Sequence, residues 1–349
     1  MTRRIYQEMA RLSAEGRPFA LGLIARVKGS SPQRTGAKAL FLPEGGIVGT
    51  LGGGCLEAEV QARALRALRT GKPDTFDLLL DHDFGWDDGL ICGGRVQGLI
   101  LPDAHRVGPL WAELAEATEP VRWGVREDFS IARVEGPGGS WLYEETVHPP
   151  FALWIAGSGH VAQAVAPLAL QLDFAVTVFD DRPGLANHRL FPEPTILRVG
   201  PWHELLHEPL PRVPTFGLIV TRGHQHDALV LSEWIHRPFA FLGMIGSRRK
   251  ARLIREQFLR QKLATAGQLD RVVCPVGLPI HAIGVNEIAV SVLAQFIQCR
   301  AELLGLARTQ DASPTARASE PPSSGEGSAA APCATSPGDT PQGWQPGQK

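Results

Sequence analysis

The sequence predicts an α/β protein: a doubly wound parallel sheet in the C-terminal half, preceded by a smaller α+β domain. Three observations carry this. From residue 151 onward, short apolar runs alternate with stretches of helical spacing, the pattern of strands joined by crossover helices. The first of those runs, Leu153-Trp154-Ile155-Ala156, leads straight into a glycine turn and then a helix. Before residue 105 the apolar runs are punctuated instead by Gly, Pro and Asp turns, which suits a sheet of short strands. A chain of 349 residues leaves room for two cores.

Ile5, Met9 and Leu12 share one side of a helix over 5–15, and Gly16 is placed to stop it. Dense apolar residues make 19–27 a strand, Gly29-Ser30-Ser31-Pro32 a turn or loop, and 37–42 the next strand. Pro43-Glu44-Gly45-Gly46 is a hairpin-type turn, with the returning strand beginning at 47–49. Gly52, Gly53 and Gly54 precede an Ala-rich helix over 56–68. Strands follow at 76–80 and 96–101, with an Asp-rich loop and Cys92-Gly93-Gly94 between them. The first domain is therefore set at 1–105. Residues 106–150 are less regular and read as a connector with a few more strands, closed by Pro149-Pro150, which stops both helix and ladder. In the second domain, 151–305, strands are expected at 153–156, 175–179, 195–199, 216–220 and 239–245. Helices are expected at 161–172, 228–234, 247–262 and 287–304. Residues 309–349 hold almost no large apolar side chain, cannot offset their ordering entropy by burial, and are expected to be disordered.

Lys+Arg number 35 against Asp+Glu 36, a net charge of -1, so no global basic field exists to hold nucleic acid or an anionic membrane. No apolar run is long enough to span a bilayer, and no signal-peptide core follows the N-terminus. The five cysteines are odd in number and widely spaced, which makes no disulfide framework and fits a reducing cytoplasm.

Five constellations carry chemistry. Gly157-Ser158-Gly159-His160-Val161-Ala162 follows a strand and opens a helix, where free N–H groups and the helix dipole favour a phosphate. Asp180 and Asp181 end the next strand, where a ribose hydroxyl is read in dinucleotide-binding folds. The turn suits a pterin dinucleotide or phosphate as well as NAD; equally, the fold could have kept the turn and lost the ligand. Gly53 and Gly54 expose N–H groups beside Cys55, and a helix start favours thiolate, a nucleophile and soft-metal ligand. The alternative for Cys55 is a small buried residue, and for Glu57 it is helix capping. Arg26, Lys28, Ser30, Ser31 and Arg34 just upstream offer donors for an anion, or form a solvated loop. Cys92 repeats the theme of a cysteine in a glycine turn but is too far from Cys55 in sequence for a local metal knuckle. Arg222-Gly223-His224-Gln225-His226-Asp227 lies beyond a strand end, as a ligand-facing loop in preference to a metal site, or as a polar loop with Asp227 capping the next helix. Ser247 is a good N-cap, yet Arg248 and Arg249 oppose the helix dipole, which suggests an anion nearby; exposed arginines are the alternative.

In this order the segments resemble the XdhC/CoxI family of xanthine dehydrogenase accessory proteins, over the chain up to about residue 305. The resemblance rests on Gly29-Ser30-Ser31-Pro32, the Gly52 to Glu57 run, Cys92-Gly93-Gly94, the Gly157 turn, Asp180-Asp181-Arg182, Arg222 to Asp227, Ile245 to Lys250, Pro275-Val276-Gly277-Leu278 and Glu287-Ile288-Ala289. It implies a Rossmann-like C-terminal domain. It also implies a chaperone that binds the molybdenum cofactor (molybdopterin) as cargo, protects it during sulfuration with cysteine desulfurase as sulfur source, and delivers it to an apo xanthine dehydrogenase or related molybdenum hydroxylase. A homodimer is expected. The residues expected to meet cargo are Gly53, Gly54, Cys55, Glu57, Cys92, Gly157, Gly159, His160, Asp180, Arg222, His224, Ser247 and Arg248. The pattern departs at His281, where the family usually has glycine, at Val285-Asn286, and at Gln295, where Glu is frequent. Two other function classes stay open: an NAD(P)-dependent oxidoreductase using the Rossmann-like turn, and a non-catalytic scaffold bridging desulfurase and hydroxylase.

Overall fold

A computed structural model describes residues 2–80, 94–136 and 138–305. The chain divides into two compact units, Met1–Pro150 and Phe151–Lys349. The expected disordered tail and Cys92 lie outside the described residues.

The first unit opens with α1 (Thr2–Ala14). Ile5, Met9 and Leu12 are buried on one face together with Tyr6, while Arg11 on the solvent face pairs with Glu8 and Glu15. Then come β1 (Ala20–Lys28), β2 (Lys38–Phe41), β3 (Ile47–Gly49), α2 (Gly54–Thr70), β4 (Asp74–Leu80) and β5 (Gly94–Leu101). The strands form an antiparallel sheet in the order β3-β2-β1-β5-β4. α2 lays Leu56, Val60, Ala64 and Ala67 on one face of it, against Ile24, Phe41, Phe76 and Val96. Gly71, left-handed at φ 67, ends the helix by returning its N–H to the Ala67 carbonyl at 2.8 Å.

Residues 106–150, expected as a connector, are folded into this unit. They hold α3 (Gly108–Glu116) and a second antiparallel sheet of β6 (Val121–Arg126), β7 (Ile131–Arg133) and β8 (Trp141–Val147), in the order β7-β6-β8. Trp111 and Trp123 drive this. Both are fully buried with α1 and the other face of the first sheet, their rings edge to face at 5.2 Å. Isolated aromatics in short strands give no clear period, so the sequence pattern showed no core here.

The second unit has β9 (Ala152–Ala156), α4 (His160–Gln171), β10 (Ala175–Asp180), β11 (Ile196–Val199), α5 (Trp202–Leu205), β12 (Thr215–Ile219), α6 (His224–Trp234), β13 (Phe241–Met244), α7 (Arg248–Arg260), α8 (Ala266–Asp270), β14 (Val272–Val273) and α9 (Val285–Leu303). All pairings are parallel, in the order β11-β10-β9-β12-β13-β14. Numbered within the unit this is 3-2-1-4-5-6, the doubly wound order of the Rossmann fold. Strands buried on both faces read as continuous apolar runs. In β9, Leu153 and Ile155 enter a core with α4 and α9, while Trp154 and Ala156 enter a core with α6 and α7.

The departure at His281 has a backbone meaning. His281 sits at φ 59, in the left-handed region where a Cβ is strained, and is exposed. His281→Gly should therefore raise stability by up to about 1 kcal/mol, relief of strain outweighing the added freedom of the unfolded chain. A thermal melt checks this; a lower midpoint for the variant would count against the strain argument.

Candidate functional site

In the first unit the signature segments converge on the loop between β1 and β2. A Cβ on Gly52 would meet Pro32 Cβ at 2.9 Å, and one on Gly94 would overlap the Ser30 carbonyl, so both glycines are fixed by close approach of that loop. Gly52, Gly53 and Gly54 all have positive φ (119, 76 and 59), with open space where side chains on Gly53 and Gly54 would stand. α2 thus begins at Gly54, earlier than the spacing predicts, and Cys55, a free and partly exposed cysteine, lies in its first turn. Glu57 faces the other way. Its Oε2 accepts from Thr50 Oγ1 and the Leu51 N–H, both at 2.8 Å, so it fastens the turn into α2, the capping role weighed above.

Beneath the same loop lies a group that sequence reasoning missed. Lys38 Nζ is buried, donates to the Gly36 carbonyl at 2.8 Å and pairs with Glu145. The rings of Tyr6, Trp123 and Tyr143 surround it at 5.5, 5.6 and 5.7 Å. Glu145 also accepts from Tyr6 at 3.0 Å and from Tyr143, and Tyr6 accepts from Trp123 Nε1 at 2.9 Å. Burial pushes the Lys38 ammonium down from its ordinary pKa, against the pull of Glu145. Burial and the Glu145 charge push both tyrosines up. The signal was a lysine inside an otherwise apolar strand, Ala37-Lys38-Ala39-Leu40.

In the second unit the predicted residues gather at the carboxyl ends of the strands, around the switch between β9 and β12. Gly157, at φ 114, leaves no room for a Cβ: one would overlap the Val220 carbonyl and meet Thr221 Cα at 2.9 Å. Gly159 differs. It caps α4 at an ordinary φ of -71, with nothing within 4 Å of a Cβ built there, so its surroundings are open. His160 is the first residue of α4 and exposed.

Asp180 is almost fully buried and turned into the glycine turn. It accepts the Ser158 N–H at 2.7 Å, and from Arg182 it accepts the backbone N–H at 2.9 Å and two guanidinium contacts at 2.8 Å. Burial opposes its ionisation, but Arg182 and Ser158 outweigh that and hold the carboxyl at about 2. A ribose hydroxyl at Asp180 would have to compete with these partners. Asp181 is paired with Arg222 at 2.8 Å, and Arg222 lies 2.9 Å from His226 Nε2.

The Thr221 loop is shorter than the sequence suggests, because α6 starts at His224 behind an extended Gly223. His224 and His226 are therefore in the first turn of a helix. Asp227 is buried, accepts from Thr221 N–H at 3.1 Å and Oγ1 at 2.7 Å, and pairs with Lys250. Lys250 also donates to the Ile245 carbonyl at 3.0 Å, so this unforeseen pair ties the loop after β12 to the loop after β13. Ser247 caps α7 by accepting the Lys250 N–H at 3.2 Å, while Arg248 is exposed at the helix start. Among the described residues no cluster of three or more His, Cys, Asp or Glu could hold a metal ion. Among them, too, no helix is long and apolar enough to cross a membrane.

A parallel sheet in Rossmann order with an open glycine turn at its switch point, and an antiparallel unit with a cysteine at a glycine-led helix start, define a two-unit protein of the XdhC type. Residues 12–81 match the XdhC and CoxI family, and residues 153–296 match the XdhC Rossmann domain. The chain belongs to the XdhC and CoxI family. It is 31% identical over 297 residues to the uncharacterized protein YqeB of Escherichia coli (strain K12), covering 85% of this chain but only 46% of that protein. It is 25% identical to a probable xanthine dehydrogenase subunit of Bacillus subtilis (strain 168), covering 80% of this chain and 92% of that one. It is 24% identical to the molybdenum cofactor insertion chaperone PaoD of Escherichia coli (strain K12), covering 82% and 84%. A crystal structure of a xanthine dehydrogenase from Bacillus halodurans superposes with a TM-score of 0.74 at 25% identity, over 88% of this chain and 98% of that chain.

Proposed function

We propose that this chain is an accessory protein that binds the molybdenum cofactor, shields it while cysteine desulfurase supplies its terminal sulfur, and hands it to an apo-hydroxylase of the xanthine dehydrogenase type. The observation that carries the reading is the likeness to the molybdenum cofactor insertion chaperone PaoD, which spans most of both chains. The geometry supports it at two places. Gly159 stands in open space at the N-terminus of α4, suited to a phosphate-bearing cargo. Cys55, partly exposed in the first turn of α2, is suited to a soft metal or its sulfur. The oxidoreductase reading is weakened by Asp180, whose carboxylate is occupied by Ser158 and Arg182.

Purification from molybdate-fed cells, followed by oxidation and pterin fluorescence, tests the proposal. The wild type should retain pterin. Cys55→Ala and Gly159→Val, both at positions without packing demands, should lose most of it while remaining folded by circular dichroism. Wild-type protein with no pterin, or equal retention by all three, would count against it.

A further inference from the structure

On the first unit's sheet, β1 and β5 place a group of cations that no contact described so far uses. The antiparallel register sets Lys28 opposite Arg95 and Arg26 opposite Gln97. These four side chains, with Val27, line an open cavity of about 410 Å³. Arg26 and Lys28 are exposed, and neither makes an ion pair or side-chain hydrogen bond among the described residues. Arg95 is held at both ends of its fork by Asp77, at 2.6 Å each, and Gln97 donates to the same carboxylate at 2.8 Å. Among the described residues, one carboxylate thus stands against three cations.

Like charges directly opposite each other across two strands destabilise a sheet. Here the Lys28–Arg95 pairing sits at the end of β1, immediately before Gly29-Ser30-Ser31-Pro32, the loop against which Gly52 and Gly94 are packed. A cationic patch of this kind is stabilised when an anion spreads its charge over several donors. A phosphate dianion has the oxygens to meet an arginine fork, an ammonium and an amide together.

We propose that Arg26, Lys28, Arg95 and Gln97 form a phosphate-binding site, which takes the terminal phosphate of a phosphorylated ligand presented to the signature loop. Arg26 and Lys28 are the exposed binding cations, and Asp77 orients Arg95 and Gln97. On the function proposed above, which this assignment deepens, that ligand is the phosphorylated pterin of the molybdenum cofactor. The site itself is defined by phosphate chemistry and can be tested without the pterin.

Inorganic phosphate is titrated by calorimetry into the full chain, at low and at moderate salt, and into Arg26→Gln, Lys28→Gln and the double variant. Lys72→Gln, a change at an exposed lysine beyond α2, is the control. Arg26, Lys28 and Lys72 are all exposed, so no variant should melt below the wild type, and relief of the Lys28–Arg95 repulsion should raise the melting temperature of the Lys28 variants slightly. The double variant should bind phosphate at least about tenfold more weakly, because two charge-assisted contacts are lost. Wild-type binding should also weaken as salt rises. Equal phosphate affinity in wild type and double variant, or no phosphate binding by the wild type, overturns the site. Pterin retention separates the two proposals. Phosphate binding that depends on Arg26 and Lys28 in a protein that retains no pterin leaves the site standing and removes the cofactor reading. Full pterin retention by the double variant keeps the cofactor reading and overturns the assignment of this site to the cofactor's phosphate.

Discussion

Glu145→Ala should destabilise the first unit by about 3–5 kcal/mol, because it leaves a buried ammonium without its counter-charge. Lys38 is nearly inaccessible, and Glu145 is the carboxylate that accepts from it, from Tyr6 and from Tyr143. Removing Glu145 takes the acceptor from both tyrosine hydroxyls and leaves the ammonium only the Gly36 carbonyl inside its aromatic cage. Cation–π attraction to Tyr6, Trp123 and Tyr143 offsets only a part, at about 2 kcal/mol or more for a desolvated site. The double change Lys38→Met with Glu145→Leu removes both charges and should recover much of the loss, since a buried ion pair is often no better than a packed apolar pair. Urea unfolding followed by tryptophan fluorescence reports both. A single variant as stable as the wild type would show that the pair is hydrated rather than buried.

The second large effect separates two glycines of one turn. Gly157→Ala should cost several kcal/mol, roughly 2–4, since a Cβ would be forced into the Val220 carbonyl at a φ that L-residues avoid. Gly159→Ala should change stability by less than about 0.5 kcal/mol, because its φ of -71 is ordinary and its surroundings are open. Thermal melts of the two variants give the comparison. If both were equally damaging, Gly159 would be a packing residue and its proposed role toward cargo would fall. If neither were, the β9 and β12 loops would not be packed as described.

The second unit was legible because β9, β10, β12 and β13 are buried on both faces and α4 and α9 carry long apolar stripes. β9, α4, β10 and β12 lie within a residue or two of where the spacing predicts them. The first unit was legible as far as β5. Beyond it, the three-stranded sheet is organised by Trp123 and Tyr143, whose meaning depends on contacts with Tyr6 and Trp111 far away in sequence. Local periodicity holds no record of such contacts. The same limit governs the sites. Gly157 and Gly159 are marked in the sequence by the strand, turn and helix around them, but their different duties depend on whether the β12 loop stands beside each. Asp180 could be read as ribose-facing because its position fits, whereas its burial and the neighbouring Arg182 turn it inward. Lys250 and Asp227 were visible only as a basic run and a helix cap. Their pairing across 23 residues requires the β12 and β13 loops to be adjacent.

Reconstitution tests most directly the proposal that this chain delivers a molybdenum cofactor. An apo-hydroxylase of the xanthine dehydrogenase type is mixed with sulfurated molybdenum cofactor, with and without the purified chain, and hydroxylase activity is followed over time. The account predicts activation that is faster and more complete with the chain present, and that falls toward the chain-free level when Gly159→Val replaces the wild type. Activation that is identical with and without the chain, together with substrate-dependent loss of NADH by the chain alone, would contradict it and make this protein an oxidoreductase.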